Sequence, residues 1–214
     1  MVTGWDLPAD RGGPGTERPW TDLPDDGSKA SWRAWARRQR AATVIDQAGH
    51  QAALRRFLAS PRRPEGWVVA YRALGDEVSL EPLLDRPELG PFALTRTPER
   101  GLTLTLHPAG GRSETHRYGF AQPTADAPVI DDREVAVVLV PGLLFDRSGG
   151  RLGRGAGYYD RFLARLGPGV ALVGVTGGLV VERLPTDEHD VAMTHLADSR
   201  GVRPVGSAAG LRSR

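Results

Sequence analysis

Apolar positions along the chain fall into helical and strand-like runs that alternate. Between residues 29 and 60, Trp32, Trp35, Ala36 and Gln39 lie at helical spacing, and so do Ala53, Leu54, Phe57 and Leu58. Ser28 stands in front as an N-cap, and Asp46 with Gly49 divides the stretch into two helices, which PRRPEG at 61–66 ends. WVVAYRAL at 67–74 reads as a buried strand, and SLEPLLDRP at 79–87 as a helix with an early proline. FALTRT at 92–97 and LTLTLH at 102–107 read as strands joined by the turn PERG. AVVLVPGLLF at 136–145 opens as a near-continuous apolar run, the mark of a parallel strand buried on both faces. A glycine-rich turn, a helix over about 158–166 and a further buried strand, VALVGVTG at 170–177, come next. DVAMTHLADSRGVRPV at 190–205 closes the ordered body. Strands alternating with helices predict an α/β fold with a mainly parallel sheet.

Residues 1–27 are rich in Gly, Pro and Asp and carry no apolar period. They are expected to form a disordered or loosely packed extension, from which Trp5 and Trp20 could dock on the body. Residues 28–205 then form a single domain, and 206–214 a flexible tail.

With 214 residues and 40% hydrophobic content, the chain suits one α/β domain with a sizeable core. It has no cysteine, which excludes disulfides and thiolate metal sites. No apolar run is long enough for a membrane span, and the first residues lack the order of a signal peptide. The formal charge is +2, and Lys29 is the only lysine among 28 basic residues. The arginines are dispersed among acids without a basic stripe, so a nucleic-acid partner is not expected. The expectation is a cytoplasmic monomer whose partner is a small molecule.

The chemistry concentrates in RLGRGAGYYDRFLAR, residues 151–165. Gly153, Gly155 and Gly157 alternate between a strand end and a helix, an order that exposes backbone N–H groups to an anion. Arg151 and Arg154 could add charge-assisted bonds to phosphate oxygens. Asp160, in the first helical turn, could hold Mg²⁺ beside a nucleotide. The spacing G-x-G-x-G fits neither a Walker A loop nor a Rossmann fingerprint. A tight surface turn ahead of an amphipathic helix is the plainer alternative, with Tyr158 and Tyr159 as packing rings.

Three more features stand out. Lys29 and Arg33 are four apart and share a helix face. Glu77 follows a predicted strand, where open α/β sheets place ligands. His189 and Asp190 follow another, and Asp190 could join Asp160 on a metal or simply N-cap a helix over VAMTHLA. No set of ligands suited to zinc is present.

Taken together, these segments resemble the 5-formyltetrahydrofolate cyclo-ligase family. LVPGLLFDRSGGRLGRGAGYYDRFLAR, residues 139–165, carries the resemblance, with SKASWR, GDEVSLEPLL, YGFAQP and LPTDEHD in the family's order over about 28–205. The resemblance implies a three-layer α/β sandwich with a central, mostly parallel sheet. It also implies a reaction in which 5-formyltetrahydrofolate and MgATP give 5,10-methenyltetrahydrofolate, ADP and phosphate. The γ-phosphoryl group goes to the formyl oxygen, and N10 then closes the ring as phosphate leaves. By the resemblance Lys29 and Arg33 meet ATP phosphates. Arg151, Gly153, Arg154, Gly155, Ala156, Gly157 and Tyr158 cradle the nucleotide. Asp160 and Asp190 hold Mg²⁺. Glu77, with Arg154, Gly155 and Tyr159, contacts the reduced folate, and Arg151, Arg154 and Tyr159 form the catalytic set. The chain departs from the family pattern at Ala156, at Gln122 where a glutamate is usual, and at His195 where an acid is common. The last two put substrate-edge contacts in question and leave open a paralogue acting on another formamide or folate-like substrate. A protein that binds folate or nucleotide without turnover is the alternative of a different class.

Overall fold

The structure is a computed structural model that describes residues 20, 22–98, 103–117 and 119–206. The Ser28 hydroxyl accepts from the Ala30 N–H at 3.2 Å and caps α1 (Lys29–Ala42). Asp46 accepts from the Gly49 N–H at 2.9 Å and caps α2 (Gln47–Leu58). Both predicted helix starts are therefore satisfied by side-chain oxygens.

Strand β1 (Trp67–Ala70) stops short of the predicted residue 74. After Ala70 the chain leaves the sheet, and the Tyr71 hydroxyl donates to the Val78 carbonyl at 3.0 Å, closing a loop that carries Asp76 and Glu77. The helix expected at 79–87 is split into α3 (Glu81–Leu84) and a 3₁₀ turn, Pro87–Leu89, because Pro87 has no N–H to continue an α-helix. Strands β2 (Phe92–Arg96) and β3 (Thr105–Pro108) follow. The turn predicted between them lies largely outside the described residues. A small hairpin of β4 (Ser113–Thr115) and β5 (Ala121–Pro123) was not predicted, since three residues per strand are too few to show alternation.

The apolar run at 136–145 divides into β6 (Val135–Pro141) and β7 (Leu144–Asp146). The remaining elements are β8 (Arg151–Leu152), α4 (Tyr158–Leu163), β9 (Ala171–Val175), β10 (Val180–Val181), β11 (His195–Ala197) and β12 (Val202–Pro204). There is no helix over VAMTHLA. Asp190 instead accepts from the Asp187 N–H at 2.7 Å, and the apolar residues that follow feed β11.

Seven strands form the central sheet in the order β12-β11-β9-β6-β1-β2-β3. The five inner strands are parallel, and β3 and β12 pair antiparallel at the edges. Side chains of β6 alternate between the two faces. Val137 and Leu139 pack with Leu54, Phe57 and Leu58 of α2 and Leu83 of α3. Val138 and Val140 pack with Phe162 and Leu163 of α4. Helices thus cover both faces, and the architecture is the expected three-layer sandwich. Each fully buried valine or leucine of β6 contributes about 1.5–3 kcal/mol.

A second, three-stranded sheet, β10-β7-β8, receives α1. Trp32, Trp35 and Ala36 pack there on Leu144, Leu152 and Val181. Trp20 joins them: its ring meets Trp35 edge-on at 5.3 Å, and its indole N–H donates to the Val180 carbonyl at 3.1 Å. Trp5 lies outside the described residues, as do most of the expected N-terminal extension and nearly all of the tail.

Candidate active site

Strand β1 lies between β2 and β6, parallel to both, so the chain order reverses there. A crevice at the carboxyl ends of strands flanking such a point is the usual ligand site of open α/β sheets. Here a cleft of about 1170 Å³ opens there. It is lined by the loop after β1, Thr95 and Thr97 at the end of β2, Pro141 and Gly142 at the end of β6, and the glycine segment. Every site residue expected from the sequence lines this one cleft: Lys29, Arg33, Glu77, Arg151, Gly153, Arg154, Gly155, Ala156, Gly157, Tyr158, Tyr159, Asp160 and Asp190.

The long motif has two halves with different jobs. Residues 142–150 build the support. A Cβ at Gly142 would lie 2.7 Å from the Phe145 ring and one at Gly174 only 2.5 Å from it, so the ring is seated between two bare backbones. Asp146 is fully buried and accepts from the N–H groups of Ser148, Gly150 and Leu184 and from the Ser148 hydroxyl, at 2.7–2.9 Å. A buried carboxylate with four donors is compensated for its desolvation, and it fixes the loop that delivers β8.

Residues 151–160 face the cleft. Gly155 has φ +111° and Gly157 φ +68°, conformations that L side chains rarely adopt. The Arg33 Nε donates to the Gly153 carbonyl at 3.0 Å. Arg154 donates from Nε at 3.3 Å and from Nη2 at 3.1 Å to Glu77 Oε1, and its Nη2 also pairs with Asp76. Glu77 Oε2 accepts from the Leu74 N–H at 2.9 Å. Glu77 is therefore a buried, hydrogen-bonded carboxylate rather than a solvated loop residue. Arg151 lies beneath the loop, with Nη2 2.5 Å from Asp160 Oδ1 and its guanidinium 5.6 Å from the centre of the Tyr159 ring. Burial pushes the Tyr159 phenol pKa well up, so it stays protonated.

Lys29 Nζ reaches Asp190 Oδ2 at 2.5 Å and Asp187 Oδ2 at 2.8 Å. Asp160 and Asp190, the two expected metal carboxylates, thus each face a cation. Among the described residues no group of three or more His, Cys, Asp or Glu could hold a metal by itself.

Of the three departures from the family pattern, Ala156 lines the cleft and Gln122 and His195 do not. Gln122 is buried at the base of the β4–β5 hairpin, accepting from the Thr97 N–H at 3.1 Å and donating to Glu114 at 3.2 Å. His195 is buried on β11, with Nδ1 2.8 Å from the Thr194 hydroxyl and its ring against Phe57. Burial lowers its pKa, which favours the neutral ring.

Three participants were missed. Asp187 shares Lys29, and Asp76 shares Arg154. Arg40, seven residues beyond Arg33 on α1, donates to Asp76 and to the Gly142 carbonyl. The signal for Arg40 was present, because 29, 33 and 40 fall on one helix face, but an arginine among many does not announce burial.

Comparison with known proteins agrees with this geometry. The model of the 5-formyltetrahydrofolate cyclo-ligase family matches residues 28–198. The chain is 36% identical over 164 residues to the 5-formyltetrahydrofolate cyclo-ligase of Mycolicibacterium smegmatis, covering 72% of this chain and 84% of that one. It is similar to the solved structure of Aquifex aeolicus 5,10-methenyltetrahydrofolate synthetase, with TM-score 0.69 and 25% identity over 87% of this chain and 97% of that one. The Mycoplasma pneumoniae 5,10-methenyltetrahydrofolate synthetase shares the fold, with TM-score 0.61 at 16% identity over 80% of this chain and 99% of that one. With the matched region enclosing the whole cleft, the chain belongs to the 5-formyltetrahydrofolate cyclo-ligase family.

Proposed function

We propose that this protein catalyses the ATP- and Mg²⁺-dependent cyclisation of 5-formyltetrahydrofolate to 5,10-methenyltetrahydrofolate, acting as a cytoplasmic monomer. The observation that carries the reading is the gathering of Lys29, Arg33, Arg154, Asp160, Asp190 and Glu77, from four separate segments, around one cleft. Three cations suit a polyphosphate, and a buried carboxylate at the opposite wall suits an N–H edge such as that of a pterin.

The donor set also fits Mg²⁺. That ion is usually held by one or two carboxylates together with phosphate oxygens and waters, not by an all-protein cage. Asp160 and Asp190 are two such carboxylates, and each has an oxygen outside its bond to Arg151 or Lys29. ATP, with the metal neutralising its charge, supplies the phosphoryl group that turns the formyl oxygen into a leaving group.

The chain's own part is to bind, orient and exclude water. Lys29 and Arg33 present charge from successive turns of α1. The bare backbone at Gly153, Gly155 and Gly157 lets a ligand approach closely. Arg151, under the loop, orients Asp160 and the Tyr159 ring. Glu77 receives the folate edge, which places N10 for attack on the formyl carbon. Catalysis of this kind rests on positioning and charge neutralisation, and no protein nucleophile is needed. With Gln122 and His195 buried behind the cleft lining, neither residue argues for a different substrate.

The test is direct. Purified protein is mixed with MgATP and 5-formyltetrahydrofolate, and the near-ultraviolet absorbance of the methenyl product is followed with ADP measured in parallel. Product that requires ATP, Mg²⁺ and protein is the expected result. Nucleotide binding without product would overturn the reading.

A further inference from the structure

Arg154 is the only cation of the glycine loop that reaches across the cleft to the loop after β1, and it meets two carboxylates there. Glu77 lines the cleft, whereas Asp76 does not. Asp76 divides its oxygens between two arginines: Oδ1 pairs with Arg154, and Oδ2 accepts from the Arg40 Nε at 3.0 Å. Arg40 also donates to the Asp76 carbonyl and, from Nη1, to the carbonyls of Gly142 at 3.1 Å and Leu143 at 3.4 Å. Its side chain is 4% exposed. A Cβ at Gly177, where φ is +58°, would come within 3.2 Å of its Nη1, so a third loop closes over it. Arg40 is thus fixed by three loops and does not face the cleft.

We propose that Asp76 is a positioning residue that acts through Arg154, with Arg40 as its fixed anchor. The inference rests on the cyclo-ligase reading of the cleft. A guanidinium on a glycine-rich loop has many rotamers and a flexible backbone beneath it, and ordering it costs entropy at each binding event. Asp76 meets that cost in the folded protein. Arg40 holds the carboxylate, the carboxylate holds Arg154, and Arg154 stands beside Glu77 before any ligand arrives. Burial opposes the Asp76 charge, but hydrogen bonds and charge from Arg154 and Arg40 overcome it and lower its pKa, so the bridge is ionised at neutral pH. Asp76 also leaves Arg154 a partner when a folate edge takes Glu77, so the guanidinium is never abandoned in a partly dry site.

Two readouts test this, one of which needs no substrate. In the ligand-free protein, Asp76→Asn should speed amide hydrogen exchange of peptides covering residues 151–157 by about tenfold, with β6 unchanged. The same substitution in an Arg154→Ala background should add little, because the link is already cut. In turnover with MgATP and 5-formyltetrahydrofolate, Asp76→Asn should lower kcat/KM by about tenfold or more, and Asp76→Glu should recover part of it. Unchanged loop exchange in Asp76→Asn overturns the proposal whether or not the protein turns over. So does an equal effect in both backgrounds, which would mean that Asp76 acts through the fold at large. A wild-type protein that fails to form product would overturn the cyclo-ligase reading instead, and the exchange experiment would still judge the bridge. Asp76→Asn leaves Arg40 its three carbonyl partners. Should the variant nonetheless melt far below wild type, Asp76→Glu read by exchange alone decides, with slow, wild-type-like exchange expected and fast exchange contradicting the bridge.

Discussion

Lys29 Nζ lies 2.5 Å from Asp190 Oδ2, a contact between residues 161 apart in sequence. It joins the first turn of α1 to the last loop before β11, and Asp187 shares the same ammonium at 2.8 Å. Burial works against the Lys29 charge, but the hydrogen bonds to Asp187 and Asp190 outweigh it and raise the pKa. The lysine is fully charged at neutral pH and already ordered, which suits the phosphate contact proposed for it. In an arginine-rich chain its persistence has a physical reason: an ammonium is a compact point charge that can sit between two carboxylates without demanding a planar fork.

Replacing Lys29 by Ala should raise the KM for ATP by about tenfold or more while changing kcat at saturating ATP much less, since binding charge is lost rather than reacting geometry. Steady-state kinetics with ATP varied at fixed folate checks this. An unchanged KM would confine Lys29 to holding the 187–190 loop.

Asp160 shares Arg151 and stands on the first turn of α4. Asp160→Asn keeps the shape and one acceptor for Arg151 but removes the charge a metal would need. Turnover should fall about a hundredfold or more and should no longer respond normally to Mg²⁺. Circular dichroism and melting should stay close to wild type, because Arg151 keeps a hydrogen bond. Activity near wild type across a Mg²⁺ titration would remove Asp160 from the metal site.

Asp146 has a different role despite belonging to the same motif. All four of its partners donate, so only a carboxylate can satisfy them. In Asp146→Asn the amide NH₂ must face a donor, either Leu184 N–H or the Ser148–Gly150 set. A loss of about 2–3 kcal/mol in chemical denaturation is expected. A loss below about 0.5 kcal/mol would mean the loop tolerates rearrangement without this residue.

Much of this arrangement was legible in the sequence because it follows from local chemistry. Ser28 and Asp46 are caps wherever they precede a helical period. The β-branched apolar run before Pro141 reads as an inner parallel strand, and β6 is one. The glycines at 155 and 157 mark positive φ, and the motif around them carried the cleft. What escaped depends on distance in sequence. Asp76 stands beside Glu77 in the text, yet its partner Arg40 is 36 residues away. Nothing in local spacing shows that α1 packs its last turn against that loop. Gln122 and His195 escaped in the opposite sense: their identities departed from the family pattern, and only the fold shows that both are buried behind the cleft lining. The apolar stretch at 191–197 has a helix-like count, and the pairing of β11 with β9 makes its last three residues, 195–197, strand, which is a tertiary choice that overrides local preference.

The turn between β11 and β12 gives a prediction away from the cleft. Asp198 accepts from the Arg200 N–H at 2.8 Å and the Gly201 N–H at 3.0 Å, and pairs with the Arg203 guanidinium at 2.8 Å. Burial raises its pKa, but the Arg200 N–H, the Arg203 charge and the Gly201 N–H together outweigh that and leave it below 3.8. A carboxylate with a depressed folded pKa contributes stability that is fully present above the unfolded value and lost as pH falls through the folded one. Asp198→Asn keeps Oδ1 for the two N–H groups and loses the charge together with the Oδ2 acceptor that the Arg203 and Arg200 guanidinium groups use. The variant should therefore be about 1 kcal/mol less stable than wild type at neutral pH, a gap reduced by high salt because the arginines are half exposed. As pH falls below 3.8 the gap should narrow, and it should close once Asp198 is protonated in the folded protein. Melting both proteins across that range reads the window directly. A gap that persists unchanged in strong acid would place the effect in the shape of the turn rather than in the charge of Asp198.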